Sequence, residues 1–564
     1  MTRPAFAPPP PAPAWTLQVR APRLALGVPG QAGQSVRDAL DATELRVRAA
    51  CGGTGACGAC RVRLVAGPAN PHTLAEYQKL TAAERTEGLR LACQLRPLGD
   101  LELALDDPAP PSRWRSLPAE DLWPAPPGRP ELDRHVYGVA VDLGTSHIRV
   151  ALWDRKRGQR IATRRGPNPQ GPLGADVLNR LQAALTDPAR AAELAGLARN
   201  AIVQAVRDIL SRDVGEVSPM LAEIGEVVVV GNTAMIALLT GQGGAELLAP
   251  DNWTRAIDYA PADPAAWQAQ WFMPHARIRL PGPVAGFVGA DLVADLIATD
   301  LTASPGPALL LDVGTNTELA LWDGATLHVT SVPGGPAFEG AGIRFGMAAE
   351  AGAIQRVGPR LGDRHVLDTL GGTPARGFCG SGLTDAVARL LADGTLKPHG
   401  RFARAPGPDG LRLDPDTPRS ALFGGDVDAF QRAKAALAAA METLMTGAGL
   451  DWPALSRLCV CGAFGRTLDL DNARAVGLLP PIPSQRTELL ADASLAGCER
   501  ALLDAPGADF SALAPRIRAI NLSQVADYDD KYIDHLRLRP MPPVGRARPG
   551  SPSRRTPSPG PSSG

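Results

Sequence analysis

Four cysteines in the first hundred residues have the type and spacing of iron–sulfur ligands. Cys51, Cys57 and Cys60 lie in one glycine-rich stretch, and Cys93 lies well downstream. Each iron of a [2Fe-2S] cluster needs tetrahedral sulfur coordination, so four thiolates must converge, and glycines let the backbone wrap closely around the sulfurs. A zinc site is the alternative, but zinc ribbons usually present two CxxC pairs. The spacing therefore favours a [2Fe-2S] cluster and an electron carrier.

A short Asp-x-Gly-Thr turn occurs twice in the chain and is the second chemical signal. Each copy lies between two strand-like segments, so both copies predict β-hairpins whose turns expose backbone N–H groups. Glycine lets the backbone approach a phosphate, and a carboxylate at the strand end can hold Mg²⁺ through water. One such turn alone is usually a plain hydrogen-bonded turn, but duplication favours a nucleotide-binding pair. The residues concerned are Asp142, Gly144, Thr145, Ser146, Asp312, Gly314, Thr315 and Asn316.

Each predicted hairpin is followed, further along the chain, by an apolar strand that ends in glycine. In the first copy this strand leads to Asn232, and in the second it leads to Gly462 and then Gly465. The repeat therefore predicts two related α/β lobes that face each other. Helical patterns occur at residues 191–211, 383–396 and 429–447.

Length and composition limit what the rest of the chain can be. With 564 residues the chain has room for about three or four folding units. Lysine plus arginine and aspartate plus glutamate balance at 58 each, which argues against nucleic acid or an anionic membrane as partner. No long apolar run and no signal-peptide core occur, so we expect a cytoplasmic protein. The four remaining cysteines, Cys379, Cys459, Cys461 and Cys498, are then interpreted as buried thiols.

The order of segments predicts several domains joined by a proline-rich linker. Around the cysteines the pattern predicts a β-grasp ferredoxin module with an initial hairpin, a helix at residues 35–42 and a closing strand at 101–105. Clustered prolines then forbid regular structure and favour extended spacing. The predicted boundaries are a disordered tail at 1–14, the [2Fe-2S] module at 15–105, a linker at 106–134, a first ATPase lobe at 135–300, a second lobe at 301–545 and a disordered tail at 546–564.

The paired turns resemble the phosphate loops of the superfamily of acetate and sugar kinases, heat-shock chaperone ATPases and actin. With an added N-terminal [2Fe-2S] module, the chain is similar to the reductive activators of corrinoid-dependent enzymes over roughly residues 15–535. The resemblance implies an α/β multidomain fold with a β-grasp ferredoxin domain and a duplicated, RNase H-like two-lobed ATPase domain. Further matching stretches lie at residues 168–170, 174–177, 231–235, 289–291, 335–340, 380–382 and 477–480.

The resemblance also implies an activity. Members of that family use ATP to drive the transfer of one electron from an iron–sulfur cluster to an inactive Co(II) corrinoid, which restores Co(I) for methyl transfer. The implied cofactors are a [2Fe-2S] cluster, ATP and Mg²⁺. The implied partners are the corrinoid protein of a methyltransferase system and a low-potential electron donor. Asp142 and Asp312 would be catalytic, and Gly462 and Gly465 would belong to the turn that contacts adenosine.

Several alternatives stay open at this point. The chain could be a small-molecule kinase with a redox-sensing ferredoxin domain, or an electron-transfer protein that does not hydrolyse ATP. Asp291 and Glu339 could orient Mg²⁺ or water, or could simply cap local structure. His147 fits a surface or interface position. Whether the protein forms a homodimer is also open.

Overall fold

The architecture was analysed on a computed structural model of the full chain. The structure describes residues 15–22, 24–118, 121–127, 135–174, 177–211, 217–255, 259–334, 336–462, 464 and 467–545. Both predicted tails, residues 128–134 of the predicted linker, and Gly465 lie outside these ranges. Within them, no helix is both long enough and apolar enough to cross a membrane.

The N-terminal module has the predicted β-grasp arrangement. Its sheet has the strand order β2-β1-β5-β3-β4, with β1 and β2 as an antiparallel hairpin and β5 parallel to β1. Ser35 caps helix α1 by accepting a hydrogen bond from the backbone of Asp38, which fixes where that helix begins. The elements are β1 (Trp15–Ala21), β2 (Leu24–Gly30), α1 (Val36–Asp41), β3 (Arg61–Ala66), α2 (Leu74–Lys79), α3 (Ala82–Thr86), β4 (Leu89–Leu91) and β5 (Leu101–Ala104).

The first lobe is built on a sheet with the strand order β10-β9-β6-β7-β8. Strands β6 and β7 form the antiparallel hairpin that carries the first Asp-x-Gly-Thr turn, and β9 runs parallel to β6. The elements are β6 (Tyr137–Leu143), β7 (His147–Asp154), β8 (Gln159–Pro167), α4 (Val177–Thr186), α5 (Pro188–Leu210), α6 (Ser218–Ala222), β9 (Ile224–Gly231), α7 (Thr233–Thr240), α8 (Gly244–Leu247), α9 (Pro264–Trp271), β10 (Arg277–Arg279) and α10 (Ala290–Thr299).

The second lobe repeats this plan on a sheet with the order β20-β19-β11-β12-β13-β21. The hairpin β11–β12 carries the second turn, and β19 runs parallel to β11, as β9 does to β6. The predicted duplication is therefore confirmed. The elements are β11 (Ala308–Val313), β12 (Thr317–Trp322), β13 (Leu327–Val332), β14 (Ala353–Leu361), β15 (Arg364–Thr369), β16 (Gly377–Phe378), α11 (Gly380–Ala392), β17 (Leu411–Arg412), β18 (Ala421–Leu422), α12 (Gly424–Gly447), β19 (Arg457–Gly462), α13 (Leu470–Ala475), β20 (Thr487–Leu490), α14 (Ala493–Leu502), α15 (Phe510–Leu513), β21 (Ile517–Ala519) and α16 (Tyr528–His535).

The three long helices α5, α11 and α12 are present, and each begins earlier than the periodicity predicts. Asp187 caps α5, and Pro188 occupies the first helical position, where its missing N–H costs no hydrogen bond. In α11 the first turn contains Gly382, whose absent Cβ would lie 1.9 Å from the carbonyl oxygen of Ile354. The glycine that weakens the helical pattern is therefore needed for close packing against β14.

Helices α10 and α14 pack against each other between the two sheets. Although α14 belongs to the C-terminal part of the chain, it packs on strands β6 and β9 of the first lobe. The Cys498 thiol contacts the carbonyl oxygens of Val141 and Val228, and Glu499 accepts a hydrogen bond from Trp153 at 3.0 Å. A segment predicted within the second lobe thus completes the core of the first.

The proline-rich segment lies on the surface of the first lobe. It is extended, and its backbone pairs with β8 through two hydrogen bonds between Arg115 and Arg165. Trp114 and Leu117 are buried against the lobe. This part of the predicted linker is therefore anchored by its own side chains.

Candidate functional sites

The four cysteines converge in the ferredoxin module, and their sulfurs approach in pairs. The Cys60 and Cys93 sulfurs are 3.4 Å apart, and the side chains of Cys51 and Cys57 are joined by a hydrogen bond. Two thiolates on one tetrahedral metal with bonds of about 2.3 Å lie about 3.8 Å apart, close to the first separation. Two such pairs match the two irons of a [2Fe-2S] cluster, so the donor set fits that group.

Local interactions already separate the ionisation of the paired thiols. The hydrogen bond from Cys57 lowers the pKa of the Cys51 thiol to about 4, whereas the same contact and burial raise the pKa of Cys57. In the second pair, the hydrogen bond between the Cys60 and Cys93 thiols raises the pKa of Cys60 and lowers the pKa of Cys93. In each pair, one thiol therefore loses its proton more readily than the other, and the thiolate is the form that binds metal.

Glycines shape the loop that carries the first three cysteines. Gly53 and Gly55 have positive φ, and a Cβ at Gly55 would lie 2.8 Å from the Cβ of Ala75 on α2. A Cβ at Gly53 would lie 2.4 Å from the guanidinium of Arg37. These positions therefore require glycine if the loop is to wrap around the sulfurs.

The cysteine loop sits directly on the first lobe. The backbone N–H of Gly52 donates to the carbonyl oxygen of Leu210 at 3.1 Å, at the end of α5. Arg37 on α1 donates to the carbonyl oxygen of Ile209 at 2.8 Å. The ferredoxin module is thus joined to the carboxyl end of α5, where carbonyl groups lack helical partners.

A buried ionic network reinforces this contact. Arg164 on β8 pairs with Asp208 on α5 at 2.6 Å and with Asp41 of the ferredoxin module at 3.0 Å. Arg46 also pairs with Asp208. Burial would raise the pKa of Asp208, but its hydrogen bond to Arg46 and the charge of Arg164 lower it overall. Residues far apart in the sequence therefore fix the module in one orientation.

The first Asp-x-Gly-Thr turn contains a carboxylate that is already paired. Asp142 at the end of β6 accepts a hydrogen bond from Arg149 at 2.9 Å, and Arg149 also pairs with Asp492 at 2.7 Å. Burial raises the pKa of Asp142, while Arg149 acts in the opposite direction. The side-chain amide of Asn232 donates to the Thr145 hydroxyl at 2.9 Å, which ties the turn to the start of α7.

The second turn is surrounded by buried acidic side chains. Burial, and next the charge of Asp142, raise the pKa of Asp312 to about 6. Burial, and next the charge of Asp312, raise the pKa of Asp291 to about 8. The pKa values of Asp295 and Glu318 are also raised, first by burial. Such a group of buried carboxyls favours a bound cation.

Glu339 joins the two turns. Its carboxylate accepts hydrogen bonds from the Thr315 hydroxyl at 2.5 Å and from the Ser146 hydroxyl at 3.2 Å. The two hydroxyls are themselves 3.5 Å apart. Glu339 therefore contacts both lobes, while Asp291 at the start of α10 accepts a hydrogen bond from the Leu292 backbone. Asp291 therefore bonds within the first turn of its own helix, whereas Glu339 links the two turns, and a role of either acid in orienting Mg²⁺ or water stays a prediction.

Gly462 lies beside the second turn. It has a φ of 84°, and a Cβ there would lie 2.3 Å from the carbonyl oxygen of Val313 and 2.6 Å from the Asp312 carboxylate. This glycine permits the close approach of β19 to the turn. His147, by contrast, is partly exposed, and its imidazole is 4.0 Å from the carboxylate of Glu350.

Sequence reasoning did not identify four ionisable residues near the turns. Glu318 could have been noticed, because it is an acidic residue within the otherwise largely apolar strand β12. Arg149, Asp295 and Asp492 carry no motif and are brought to the turns only by folding. Within the part of the chain that the structure describes, no three acidic, histidine or cysteine side chains form a ready cage for one metal ion. A Mg²⁺ ion here would thus need phosphate oxygens and water as further ligands.

The other cysteines form no second site among the described residues. Cys379, Cys459, Cys461 and Cys498 are all buried and have free thiols. Burial raises the pKa of the Cys459 thiol to about 12, so it is protonated and unreactive. The prediction of buried thiols is confirmed.

Comparisons with known protein families agree with this architecture. A model described as a 2Fe-2S iron-sulfur cluster binding domain matches residues 26–98. A model of the RACo middle region matches residues 137–304, and one of the C-terminal domain of RACo, the ASKHA domain, matches residues 306–543. The three models match in this order between residues 26 and 543.

Individual relatives point to the same family. The chain is 28% identical over 436 residues to the corrinoid activation enzyme RamQ of Eubacterium limosum, covering 73% of this chain and 71% of that protein. It is 27% identical over 385 residues to the [Co(II) methylated amine-specific corrinoid protein] reductase of Methanosarcina barkeri, covering 61% of this chain and 66% of that protein. A solved structure titled reductive activator for corrinoid, iron-sulfur protein has the same fold, with a TM-score of 0.61 and 24% identity over 94% of this chain and 99% of that one. Since the middle and C-terminal RACo models together match most of its length, the chain belongs to the RACo family.

Proposed function

We propose that the protein is an ATP-hydrolysing iron–sulfur enzyme that reductively activates a corrinoid protein. It transfers one electron to an inactive Co(II) corrinoid and so restores Co(I) for methyl transfer. The observation that carries this proposal is the seating of the four-cysteine loop on the first of two lobes whose phosphate turns meet at Glu339. An electron carrier and a nucleotide cleft are thereby parts of one folded unit.

The cysteine loop serves as the entry and exit point for the electron. Cys51, Cys57, Cys60 and Cys93 would hold a [2Fe-2S] cluster, which when bound supplies one-electron transfer at low potential. The chain itself contributes a loop fixed by glycines and by Arg37, so that the ligands keep their positions as the charge changes. A rigid ligand set reduces the rearrangement that accompanies electron transfer.

The nucleotide would lie between the two turns. The N–H groups of Gly144 and Gly314 close the two turns by donating to the carbonyl oxygens of His147 and Asn316, and these glycines would let the backbone approach the phosphates. The hydroxyls of Thr145 and Thr315 would contact phosphate oxygens, as would the neighbouring Ser146, Asn232 and Asn316. Asp142 and Asp312 would hold Mg²⁺, with water completing its coordination. Gly462 and Gly465 would border the adenosine. The buried carboxyls around Asp312 support a cation on that side.

ATP is needed because the reduction is energetically unfavourable. For a one-electron step, each 59 mV of unfavourable potential lowers the equilibrium constant about tenfold. Binding and hydrolysis of ATP can offset this by favouring a conformation in which the lobes hold the corrinoid protein and change its cobalt coordination. The contact of Glu339 with both turns is suited to sense the phosphates, because a nucleotide would compete for the same hydroxyls.

The partners follow from this chemistry. The acceptor is the corrinoid protein of a methyltransferase system, and the donor is a low-potential reductant. We place the reaction in the cytoplasm, which is consistent with the free, buried thiols.

One experiment tests the proposal directly. The anaerobically purified protein, reduced with dithionite, is mixed with a Co(II) corrinoid protein, and the Co(I) absorbance is followed with and without Mg-ATP. We expect Co(I) only when Mg-ATP is present. The Asp312→Asn variant should retain the visible spectrum of the cluster and lose the ATP-dependent signal. Equal Co(I) formation without nucleotide would refute the coupling.

A further inference from the structure

Helix α2 packs along the outer side of the cysteine loop. A Cβ at Gly55 would lie 2.8 Å from the Cβ of Ala75, and a Cβ at Gly58 would lie 3.1 Å from the Cβ of Lys79. The loop and the helix are therefore in direct contact on both sides of Cys57, which is itself partly exposed. A protein that binds the outer face of α2 therefore lies next to the loop that carries Cys57.

That outer face is unusually apolar for an exposed short helix. Leu74 is 73% exposed and Tyr77 is 59% exposed, both large hydrophobic side chains on one helix. The Tyr77 ring lies under the guanidinium of Arg85 at 4.5 Å and beside the ring of His72 at 6.0 Å. Exposed apolar groups held in fixed positions are typical of interaction sites.

The helix is preformed rather than dependent on a partner. Thr73 and Glu76 form a capping box at its start. The buried carboxylate of Glu76 also pairs with Arg90 at 2.7 Å and accepts a hydrogen bond from the Leu91 backbone. This ties α2 to β4, two residues before Cys93. The apolar face is thus positioned relative to the cysteines by the core of the module.

The charge beside this apolar face is positive. Lys79 and Arg85 form no ion pair with any residue that the structure describes. Nearby acidic side chains are already engaged by arginines, in the pairs Glu76 with Arg90, Glu84 with Arg61 and Glu87 with Arg63. An incoming protein with an apolar centre and a rim of carboxylates would therefore complement the face.

The opposite side of the loop is closed. Gly52 is bonded to the end of α5, and a Cβ there would contact Ile161 and Leu210 of the first lobe at 3.5 and 3.7 Å. While the module rests on the lobe, protein partners can reach the loop from the α2 side and not from this one. Because the α2 side is free in this arrangement, it is suited to bind the protein that delivers the electron.

We propose that Leu74, Tyr77, Lys79 and Arg85 form the docking surface for an acidic electron-donor protein, which reduces the module while it rests on the first lobe. This inference rests on the proposed function. With a flavoprotein donor, the flavin hydroquinone anion gives up one electron and becomes the neutral semiquinone, and the iron–sulfur centre gains that electron. No proton or further reactant is needed.

The test uses the full-length holoprotein and reduced flavodoxin, a small acidic flavoprotein, as the probe. Bleaching of the oxidised iron–sulfur absorbance is followed anaerobically by stopped flow. We expect the second-order rate to fall about tenfold in the double variant Leu74→Ala/Tyr77→Ala and about tenfold in Lys79→Glu at low ionic strength. Added salt should shrink the difference for Lys79→Glu. The matched control is Val65→Ala, because Val65 is 55% exposed on β3 of the same module.

Two further measurements separate the possible failures. Reduction by dithionite, which needs no docking surface, should be equal in all variants, and equal losses with dithionite would show a structural defect and overturn the proposal. Unchanged flavodoxin rates in the variants, or a wild-type protein that flavodoxin fails to reduce, would also overturn it.

Co(I) formation with dithionite and Mg-ATP should be normal in all variants. A loss confined to that assay would assign the surface to the corrinoid acceptor instead, whereas absence of Co(I) in the wild type would refute the proposed function alone.

Discussion

The two Asp-x-Gly-Thr turns lie in equivalent hairpins and differ in the charged side chains around their aspartates. At the first turn, Asp142 pairs with Arg149, which also holds Asp492. At the second turn, Asp312 lies among Asp291, Asp295 and Glu318, and Arg149 acts on it only through its charge, whereas Arg149 donates a hydrogen bond to Asp142. The aspartate of the first turn is thus paired with an arginine, whereas the aspartate of the second turn is surrounded mainly by other acidic side chains.

This difference suggests a division of labour between the turns. A carboxylate that already has a cationic partner gains less from Mg²⁺ than one surrounded by other acids. We therefore expect Asp312 to provide the main metal contact. The first turn would instead link the nucleotide to α14, because Asp492 immediately precedes that helix and Arg149 pairs with both Asp142 and Asp492.

The largest expected effect comes from comparing Asp312→Asn with Asp142→Asn. Loss of the main Mg²⁺ contact should lower Mg-ATP hydrolysis about 1000-fold, roughly 4 kcal/mol of transition-state stabilisation. The Asp142→Asn variant should lose about tenfold, because Arg149 already neutralises that carboxylate. Steady-state ATPase assays measure both, with the iron–sulfur spectrum as the control for folding. Equal losses would show that the turns share the metal equally.

The next effect concerns stability. Replacing Arg149 by methionine leaves Asp142 and Asp492 buried without their partner, so the free energy of unfolding should fall by about 3 kcal/mol. Urea denaturation measures the change. The control is Arg157→Met, since Arg157 is 77% exposed in its pair with Asp154 and should matter by less than about 1 kcal/mol. If the two variants were equally stable, the ionic contact at the first turn would be unimportant.

Substitution of the two turn glycines by alanine should lower stability by different and smaller amounts. A Cβ at Gly144 would lie 2.6 Å from the carbonyl oxygen of His147, whereas one at Gly314 would lie 3.2 Å from that of Asn316. Gly144→Ala must therefore shift backbone and should destabilise the protein by about 2 kcal/mol, while Gly314→Ala should cost less than about 1 kcal/mol. Thermal unfolding of the two variants provides the comparison. A reversed order would mean that the first turn relaxes more easily than its contacts indicate.

A separate comparison is the pH dependence of stability without nucleotide. The folded-state pKa values of Asp312 and Asp291, about 6 and about 8, lie above those of unfolded aspartate. The folded protein therefore binds more protons than the unfolded chain, so the unfolding free energy falls as pH rises from about 4 to about 8. Each proton contributes about 1.4 kcal/mol per pH unit. Denaturation curves of Asp291→Asn should show a shallower fall than the wild type, and an unchanged slope would contradict the raised pKa.

Much of the fold could be predicted because its signals are local. The hairpins, the cysteine loop and α1 depend on turn residues, alternation and caps within about ten residues. The start of α11 was less predictable, because Gly382 in its first turn is explained only by close packing against β14. Likewise, nothing in the pattern of α14 indicates that it completes the core of the first lobe.

The sequence by itself determined the chemistry of this protein: four cysteines at iron–sulfur spacing and two phosphate turns in a duplicated domain. These features depend on residue type and short spacing, which the chain carries wherever it folds. Tertiary structure alone decided the electrostatics and the geometry between modules. Arg149 meets Asp492, Arg164 meets Asp41 and Asp208, and Glu339 meets both turns only because folding joins segments that are far apart in the chain.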